Sequence, residues 1–453
     1  MGIKVIGHYL SSPVLRVLFT LEALGLEYEY EQITGMEYIK SPEYLATKNP
    51  FGKIPVIIDD GFTLYESRAI CRYLVNKYQG TKNSTILIPK DIQKAALVEQ
   101  YLSVESLYFE ISSTAINYEE VIVTKYQGKE ANAEKIKESK EKIEQTLDIY
   151  EKLLEGKDYL IGEFSLADLC HVPNLFINIH KNSIKDIYYD AKRPNVVRWV
   201  KNLLEIPAWK QLLFMENDIF NEFFSDINTL KNFHVQINFQ KMGIKIIGFA
   251  LSPTTLRVTL TLEELGLEYE LEPVTSVDEI KTPEFLATKN PMGKVPVMID
   301  DGFTLYESRA ICRYLVNKYQ GTKNSTILIP KDIQKASLVE QYLSVESLYF
   351  DTPSSTINYE EVVAVKHFGK EANAEKVKEA KEKLEKILDV YEKFLEGKNY
   401  LVGEYSLADL VHIPNGFINV RKTSAKDIYY DAKRPNVVKW VKNICERPSW
   451  KQM

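Results

Sequence analysis

The spacing of hydrophobic residues near the start of the chain predicts a small α/β domain. An apolar run at residues 3–6 is typical of a buried strand, and apolar positions at helical spacing over 15–24 predict a helix that Gly25 ends. Asp60-Gly61 is a strong hairpin signal. The predicted elements are a strand at 3–6, a helix at 15–24, strands at 28–32, 54–58 and 63–65, and a helix at 66–78. This βαβ then ββα order indicates a thioredoxin-like domain.

Beyond Pro89 the pattern becomes helical. Apolar residues at helical spacing mark one face of a long charged helix, namely Ile136, Ile143, Leu147, Tyr150 and Leu154. Ser165 and Asp168 have the spacing of a capping box, and Pro194 is placed to open a further helix. This part of the chain is therefore predicted to be an all-helical domain.

The whole pattern occurs twice. Residues 58–95 recur identically at 299–336, and the offset of 241 residues holds without a gap to the last residue. The joint, residues 213–241, has no counterpart, and its six phenylalanines predict a packed segment, helical near its start, rather than a flexible linker. The fold class is α/β plus all-α, twice. The predicted domains are thioredoxin-like at 1–80 and 242–321 and helical at 90–212 and 331–453.

Composition narrows the classes of function. The chain has 453 residues, a net charge of −6 and a pI of about 5.8, so no excess of basic residues favours nucleic acid. Four cysteines in this length favour reduced thiols in a cytoplasmic protein over a disulfide scaffold. The first residues show no basic leader with an apolar run, and no stretch is long enough to span a bilayer. Neither a signal peptide nor a membrane partner is predicted.

Several common catalytic motifs are missing from the sequence. It contains no GxGxxG, Walker, HExxH or GxSxG pattern, and its six histidines are scattered, so no metal site is predicted. His171 and His412 occupy one position of the two copies and are interpreted as hydrogen-bonded core residues. No CxxC is present, which excludes dithiol redox chemistry, and Cys71 and Cys312 are interpreted as small buried residues.

The first strand-to-helix turn is the informative place for chemistry. Ser11 stands there in the first copy and Ser252 in the second, whereas the neighbouring Ser12 is replaced by Pro253. A hydroxyl at a helix N-terminus lies where backbone N–H groups and the helix dipole favour an anion. The alternative is a plain N-cap, a role that serine fills well. On these residues alone the plain N-cap has at least as much weight as the anion site.

Ordered motifs on both sides of this turn resemble a known family. NPFGKIPV, DDGFTLYESRAICRYL, VEQYLSVESLYF and LIGEFSLADL, together with the opening GIKVIGHYLSSPVLRV, resemble cytosolic glutathione transferases, most of all the serine-type phi class. The resemblance covers nearly all of both copies. It implies a thioredoxin-like domain followed by a helical one, glutathione as co-substrate with no metal, and conjugation of small hydrophobic electrophiles.

The resemblance also implies roles for individual residues. Ser11 and Ser252 match the serine that donates to the glutathione sulfur, and Pro55 and Pro296 match the family's cis-proline. Arg16 and Arg257 match an arginine near the thiolate, with a structural salt bridge as an equal alternative. The implied glutathione-binding residues are Lys40, Lys53, Ile54, Pro55, Glu66 and Ser67, and in the second copy Lys281, Lys294, Val295, Pro296, Glu307 and Ser308.

Two departures from the family pattern occur in both copies. Isoleucine at 39 and 280 replaces a histidine often found before the lysine, which removes a donor and predicts modest glutathione affinity. Lysine at 53 and 294 replaces a glutamine often found after NPFG, which keeps a donor and adds a charge suited to an anionic tripeptide.

The copies differ most where the second substrate is expected. We interpret as pocket residues Tyr9, Tyr108, Phe109, Ile116, Tyr349, Phe350 and Ile357. Interdomain core is an equal alternative for these side chains, because apolar stripes at helical spacing are usually core. Because the family normally forms dimers, the two copies are predicted to pair inside one monomeric chain as a pseudo-dimer. A non-catalytic ligand-binding or scaffold role and a glutathione peroxidase activity remain alternatives.

Overall fold

The computed structural model describes residues 2–33, 35–214 and 243–451, and they form two compact units. The first unit contains the described residues of Met1–Tyr38, Ile54–Thr63 and Ile70–Gln240, and the second those of Ile39–Lys53, Leu64–Ala69 and Lys241–Met453. Two segments of the first repeat thus belong to the unit of the second. The predicted joint lies outside the described residues except for 213 and 214, which end a helix.

The first repeat begins with a four-stranded mixed sheet. Its strands are β1 (Ile3–Gly7), β2 (Tyr28–Gln32), β3 (Val56–Asp59) and β4 (Phe62–Tyr65), in the spatial order β2-β1-β3-β4. Strand β1 runs parallel to β2 and antiparallel to β3. The hairpin is closed by Asp60 and Gly61, whose φ angles are 48° and 90°, as the Asp-Gly signal predicts.

Helices fill the rest of the first repeat. In the described residues they are α1 (Ser12–Leu24), α2 (Pro42–Thr47), α3 (Ser67–Tyr78), α4 (Ile92–Val104), α5 (Glu110–Asn117), α6 (Ala133–Leu153), α7 (Leu166–Lys181), α8 (Pro194–Leu204) and α9 (Pro207–Phe214). Single 3-10 turns lie at Tyr38–Lys40 and Lys185–Tyr188, and π-helical turns at Glu105–Phe109 and Tyr118–Tyr126. A mixed sheet followed by helices confirms the predicted fold class of this repeat.

The second repeat has the same order. Its strands are β5 (Ile244–Gly248), β6 (Glu270–Pro273), β7 (Val297–Asp300) and β8 (Phe303–Tyr306), ordered β6-β5-β7-β8. Its described helices are α10 (Pro253–Glu264), α11 (Pro283–Thr288), α12 (Ser308–Tyr319), α13 (Ile333–Val345), α14 (Asp351–Asn358), α15 (Val365–Phe368), α16 (Ala374–Phe394), α17 (Leu407–Leu410), α18 (Ile413–Lys422), α19 (Lys426–Tyr429), α20 (Pro435–Cys445) and α21 (Pro448–Lys451). A 3-10 turn lies at Glu279–Lys281, and π-helical turns lie at Glu346–Phe350 and Tyr359–Ala364.

Some predicted boundaries differ from the observed ones by one to three residues. Helix α1 begins at Ser12 rather than Leu15. Strand β3 begins at Val56 rather than at residue 54, and Pro55 before it has no N–H to give to the sheet. Helix α3 begins at Ser67 because Glu66 has a φ of 72°, outside the helical region.

A buried aspartate holds the C-terminal half of helix α12 on its sheet. Asp300, at the end of β7, accepts hydrogen bonds from the hydroxyls of Tyr314 at 2.8 Å and Tyr319 at 2.9 Å, and from Nζ of Lys318 at 2.7 Å. All three donors lie on α12. Burial of a carboxylate is tolerated here because every lone pair direction meets a donor.

The helical domains contain the predicted buried polar centre. Asp168 accepts from the backbone N–H of Ser165 at 3.1 Å and from Nε1 of Trp199 at 2.9 Å, which confirms the capping box. His171 is fully buried and 2.9 Å from the hydroxyl of Tyr150, as predicted for a hydrogen-bonded core histidine. His412 makes the same contact with a tyrosine, and Cys71 and Cys312 are fully buried. No helix in the described ranges is long and apolar enough to cross a bilayer.

Candidate glutathione-binding and thiolate sites

Both serines of the strand-to-helix turns precede their helices without capping them. Ser11 has extended backbone angles of φ −95° and ψ 112° before α1, and Ser252 has −68° and 131° before α10. Neither side chain accepts a hydrogen bond from the first turn of its helix. A plain N-cap would make that bond. The geometry therefore removes the main support for the capping interpretation, because neither hydroxyl is engaged by its own helix.

In the second repeat, the serine lies near a cis peptide bond in the same unit. Val295-Pro296 is cis, and the carbonyl oxygen of Val295 accepts from Oγ1 of Thr254 at 3.2 Å. Thr254 Oγ1 is in turn 2.9 Å from Oγ of Ser252. The strand edge before Pro296 and the serine turn are thus joined by one threonine. The corresponding Ile54-Pro55 bond of the first repeat is cis as well.

The loop before this cis bond is braced by Asn290. This residue is 1% exposed, and its Nδ2 donates to the carbonyl of Lys294 at 2.8 Å, while its Oδ1 accepts from the N–H of Met292 at 2.9 Å. Burial lowers the pKa of the Lys294 ammonium, Glu307 raises it, and nearby Lys281 lowers it further. An anion bound beside this ammonium would offset the cost of burying its charge.

A glycine lets Lys281 approach the same loop. Gly293 has a φ of 58°, and its carbonyl accepts from Nζ of Lys281 at 2.9 Å. A Cβ at this position would lie 2.7 Å from that ammonium and 3.0 Å from the carbonyl oxygen of Ile280, closer than side chains pack. In the first repeat Nζ of Lys40 donates to Gly52 in the same way, at 3.0 Å.

The Glu-Ser pair has a strained backbone at the start of a helix. Glu307 has a φ of 71°, and the first-repeat Glu66 has 72°. A residue other than glycine in this region costs about 1–3 kcal/mol, and such strain is concentrated at functional sites. Ser308 follows as the first residue of α12, and its Oγ accepts from Nη1 of Arg257 at 2.9 Å. The oxygen is thereby used as an acceptor, so the Ser308 proton can point outward.

Arg257 is fully buried in a cluster of charges that also contains the buried Glu346 and the partly exposed Asp351. Its guanidinium lies 3.0 Å from Glu346 and 3.1 Å from Asp351, and Arg309 contacts the same carboxylates at 2.6 Å and 3.2 Å. Although burial alone would raise it, Arg309 and Arg257 hold the pKa of Asp351 at about 2. Burial outweighs the same arginines at Glu346 and raises its pKa. Arg257 on α10 and Arg309 on α12 thus tie both helices to the helical domain of their own repeat.

The first-repeat arginine is placed in the same way. Arg16 is fully buried, with Nη2 3.2 Å from Glu105 and 2.9 Å from Glu110, and its Nε donates to the carbonyl of Cys170 at 3.4 Å. The observed contacts are those of the salt-bridge alternative. Of the first-repeat residues with implied roles, Ser11, Ile54 and Pro55 lie in the first unit, and Lys40, Lys53, Glu66 and Ser67 in the second.

Six of the seven interpreted pocket residues fall into two groups. Phe109, Ile116, Phe350 and Ile357 have no exposed surface, and the Phe350 ring packs against His412 and Tyr429 at 4.7 Å and 6.4 Å. This placement favours the core alternative for these four. Tyr9 and Tyr108 are partly exposed, and the ring of Tyr9 lies 4.1 Å from that of Tyr30. These two remain candidates for a pocket.

Tyr349 has neighbours that its interpretation as a pocket residue did not include. Its ring is stacked on Phe51 at 4.3 Å and an interplanar angle of 3°, and Nζ of Lys53 lies 4.4 Å from its centroid. Its hydroxyl donates to Glu66 at 2.9 Å. All four residues belong to the second unit. The tyrosine thus packs on residues of the other repeat that lie in the motifs expected to bind glutathione.

Comparison with known proteins identifies the family. A model of the N-terminal domain of glutathione S-transferases matches residues 6–82 and 246–323, and a model of their C-terminal domain matches 111–207 and 352–448. The chain is 37% identical over 207 residues to glutathione S-transferase F14 of Arabidopsis thaliana, covering 45% of this chain and 79% of that protein. The chain belongs to the glutathione S-transferase family. As a member of this family, it has glutathione transferase activity in general terms.

Other glutathione S-transferases match in the same way. An enzyme of Hyoscyamus muticus is 37% identical over 210 residues, covering 46% of this chain and 96% of that protein. The crystal structure of glutathione transferase F7 from Populus trichocarpa is 35% identical, with a TM-score of 0.43, and the alignment covers 46% of this chain and 96% of that one. Because both domain models match twice, the chain is a tandem form of the family, as predicted from its sequence.

Some residues around the site were not anticipated from the sequence. Thr254 is the clearest, and the signal was present, because the alignment of the repeats places a hydroxyl opposite Pro13 two residues after the serine. The link from Arg257 to Ser308 had no local signal, since 51 residues separate them. Within the described part of the chain, no group of three histidine, cysteine or acidic side chains is arranged to hold a metal.

Proposed function

We propose that the chain conjugates glutathione to small hydrophobic electrophiles at two sites, with the sulfur stabilised by Ser11 in one and Ser252 in the other. The observation that carries this proposal is that both serines stand at helix N-termini and neither caps its helix. Their hydroxyls are therefore not used by their own helices, and they stand where the backbone favours an anion. Because the arrangement occurs in both repeats, the role of the serine can be tested separately at each site.

The chemistry requires a thiolate at neutral pH. Lowering the pKa of a thiol by about two units needs ~2.7 kcal/mol of differential stabilisation. A hydrogen bond to a charged acceptor supplies ~1.5–3 kcal/mol, and a helix N-terminus adds ~0.3–1 kcal/mol. The thiol proton leaves to solvent, and the sulfur then forms a bond to an electrophilic carbon, whose leaving group departs with the electron pair. No general base on the protein is needed.

Glutathione is held, in this proposal, by the residues around the serine. In the second repeat Lys281 and Lys294 attract its carboxylates, and Ser308 at the N-terminus of α12 donates to the γ-glutamyl carboxylate. Support comes from the Arg257 donation to Ser308, which leaves the serine proton free to point outward, and from the strained backbone of Glu307. The backbone of Val295 beside Pro296 pairs with the cysteinyl unit as an added strand would.

Serine variants test the proposal. In the full chain we expect Ser11→Ala and Ser252→Ala each to remove one site and the double variant to lose about 100-fold in kcat/KM with chloro-dinitrobenzene at neutral pH. Ser12→Ala is the matched control, because Ser12 is a buried neighbour that the second repeat lacks. A double variant with undiminished turnover contradicts the serine mechanism.

The same set of variants separates the alternatives. Glutathione binding without turnover of chloro-dinitrobenzene or cumene hydroperoxide is the result expected of a non-catalytic ligand-binding or scaffold protein. Turnover of the hydroperoxide that falls with the serine variants supports a peroxidase side activity. The four cysteines are free thiols, three of them buried, which supports a reducing, cytoplasmic location.

We also propose that the two repeats form an internal pseudo-dimer in a monomeric chain. Support comes from contacts inside the second unit, where Phe51 stacks on Tyr349 and the N–H of Tyr65 donates to Oε1 of Gln341 at 3.0 Å. A protease site introduced between residues 215 and 242 tests it. After cleavage we expect the two repeats to elute together, with a total mass near 52.2 kDa. Separation after cleavage, or a mass near twice that value before it, contradicts the proposal.

A further inference from the structure

A threonine links the proposed catalytic serine of the second repeat to the carbonyl before its cis-proline. Oγ of Ser252 lies 2.9 Å from Oγ1 of Thr254, which donates to the carbonyl oxygen of Val295 at 3.2 Å. The first repeat has Pro13 at the position of Thr254, and proline has no hydroxyl. The immediate partner of the serine therefore differs between the two sites.

The number of hydrogens limits how this pair can act. Each hydroxyl carries one hydrogen. While Thr254 donates to Val295, its oxygen can only accept from Ser252, so the serine hydrogen points away from any sulfur. Once Ser252 donates to a sulfur, its oxygen faces that of Thr254 at 2.9 Å, and the contact is favourable only if Thr254 supplies the hydrogen. Donation by the serine thus requires the threonine to turn.

We propose, on the basis of the serine mechanism above, that Thr254 is a positioning residue of the second site that turns from Val295 to donate to Ser252 when Ser252 donates to the glutathione sulfur. The turn frees a lone pair of the Val295 carbonyl, which the amide N–H of the cysteinyl unit can then use. A hydroxyl that itself accepts a hydrogen bond becomes a stronger donor, by ~10–30% per bond. Binding of the peptide and activation of the serine are thereby coupled.

This arrangement makes the two sites unequal. The second site stabilises the thiolate through two linked hydroxyls, and the first has only the serine at this position of its turn, because Pro13 cannot donate. Without the Thr254 hydroxyl we expect the fraction of bound glutathione present as thiolate to fall about two- to fourfold at neutral pH. At alkaline pH, where the thiol is ionised in either case, the difference disappears.

The experiment uses the full chain carrying Ser11→Ala, so that only the second site contributes. Thr254→Val removes the hydroxyl at nearly constant volume, and Thr254→Ser keeps it. The thiolate of bound glutathione is followed by its ultraviolet absorbance across a pH series, and kcat/KM with chloro-dinitrobenzene is measured at the same pH values. We expect Thr254→Val to show the two- to fourfold loss at neutral pH only, and Thr254→Ser to match the parent.

The outcomes distinguish this proposal from the serine mechanism on which it rests. An unchanged thiolate titration in Thr254→Val overturns the role of Thr254, as does an equal loss at every pH or an equal loss in Thr254→Ser, either of which indicates packing alone. A thiolate titration that shifts as expected in a chain that never turns over the electrophile leaves the role of Thr254 standing. That result contradicts the proposed conjugation chemistry instead.

Discussion

Helix α7 of the first repeat and its counterpart in the second contain a proline at the same position, yet only one of them is continuous. Helix α7 runs through Pro173 without interruption, whereas the second repeat has α17, a break, and then α18 with Pro414 in its first turn. The proline alone therefore does not decide the outcome. Two residues further on, the fully buried Leu175 is matched by Gly416.

We attribute the break to this glycine. Gly416 costs about 1 kcal/mol more than alanine in a helix and offers no side chain to the core. An apolar cavity of about 20 Å³ remains beside it, lined among others by Phe350, Trp440 and Trp450. A continuous helix must offset the hydrogen bond that proline removes, and a buried leucine helps to do so.

The polar centre of the same domain is alike in both repeats. His171 and Tyr150 are 2.9 Å apart, and His412 and Tyr391 are 2.8 Å apart. Leaving one buried donor or acceptor unsatisfied costs about 1–3 kcal/mol, a larger penalty than a small apolar void imposes. The domain thus tolerates a loss of volume beside a histidine–tyrosine contact that both repeats keep.

Placing glycine at position 175, as the second repeat has at position 416, gives the largest expected change in stability. Leu175→Gly creates the void in the first repeat and should cost about 5 kcal/mol of unfolding free energy, the sum of a buried leucine and a helical glycine. Gly416→Ala should return about 1 kcal/mol, because a Cβ there meets no heavy atom within 4 Å. Urea unfolding followed by circular dichroism measures both. A loss under 2 kcal/mol for Leu175→Gly contradicts the packing argument.

These cases show what local patterns predict and what they miss. Strand β2 was predicted at its observed bounds, and Gly25 ends α1 with a φ of 67°. Such features depend on a few neighbouring residues. The broken helix of the second repeat was not predicted, because the decisive difference is the packing around one glycine. The π-helical turn that places Glu346 against Arg257 was missed for the same reason, since 89 residues separate the pair.

The candidate glutathione sites likewise contain features that local motifs predict and features that depend on distant contacts. The serines, lysines and cis-prolines stand in recognisable motifs, so their positions were predicted, although their roles remain predictions. The Phe51–Tyr349 stack joins residues almost 300 positions apart, and the hydrophobic pattern of a sequence cannot predict such a distant contact. Phe109 and Phe350 were interpreted as pocket residues with interdomain core as an equal alternative, since hydrophobic spacing does not distinguish a pocket wall from a core. Both are fully buried, which favours the core.

The sheet domains of the two repeats also differ at one packing position, where the first has Phe51 and the second has Met292. Phe51→Ala should cost about 3 kcal/mol, since it removes a half-buried ring and its stack on Tyr349. Phe51→Met, which makes the repeats alike, should cost about half as much. Phe51→Tyr keeps the stack and serves as the control. Thermal unfolding checks the order, and an alanine variant as stable as the tyrosine variant contradicts it.

The smallest expected effect concerns the pH response of the second helical domain. Burial lowers the pKa of His412 to about 3, with Arg257 and Arg309 acting in the same direction against the Ala408 carbonyl. An unfolded histidine has a pKa near 6.5. Below that pH His412 is protonated in the unfolded chain but stays neutral in the folded chain. The free energy of unfolding therefore falls as the pH drops. The loss should reach about 2 kcal/mol at pH 5.

Comparison with His412→Asn isolates this contribution. Asparagine does not titrate, so the stability difference between wild type and variant should shrink by about 2 kcal/mol between pH 8 and pH 5. Burial raises the pKa of the neighbouring Asp409 to about 6. Because this pKa lies above that of an aspartate in the unfolded chain, protonation of Asp409 stabilises the fold as the pH falls. That opposite contribution is present in both proteins and cancels in the difference. If the stability difference between wild type and variant stays constant over this pH range, His412 takes up its proton in the folded chain as readily as in the unfolded one. The second repeat then does not hold its core histidine in the neutral form.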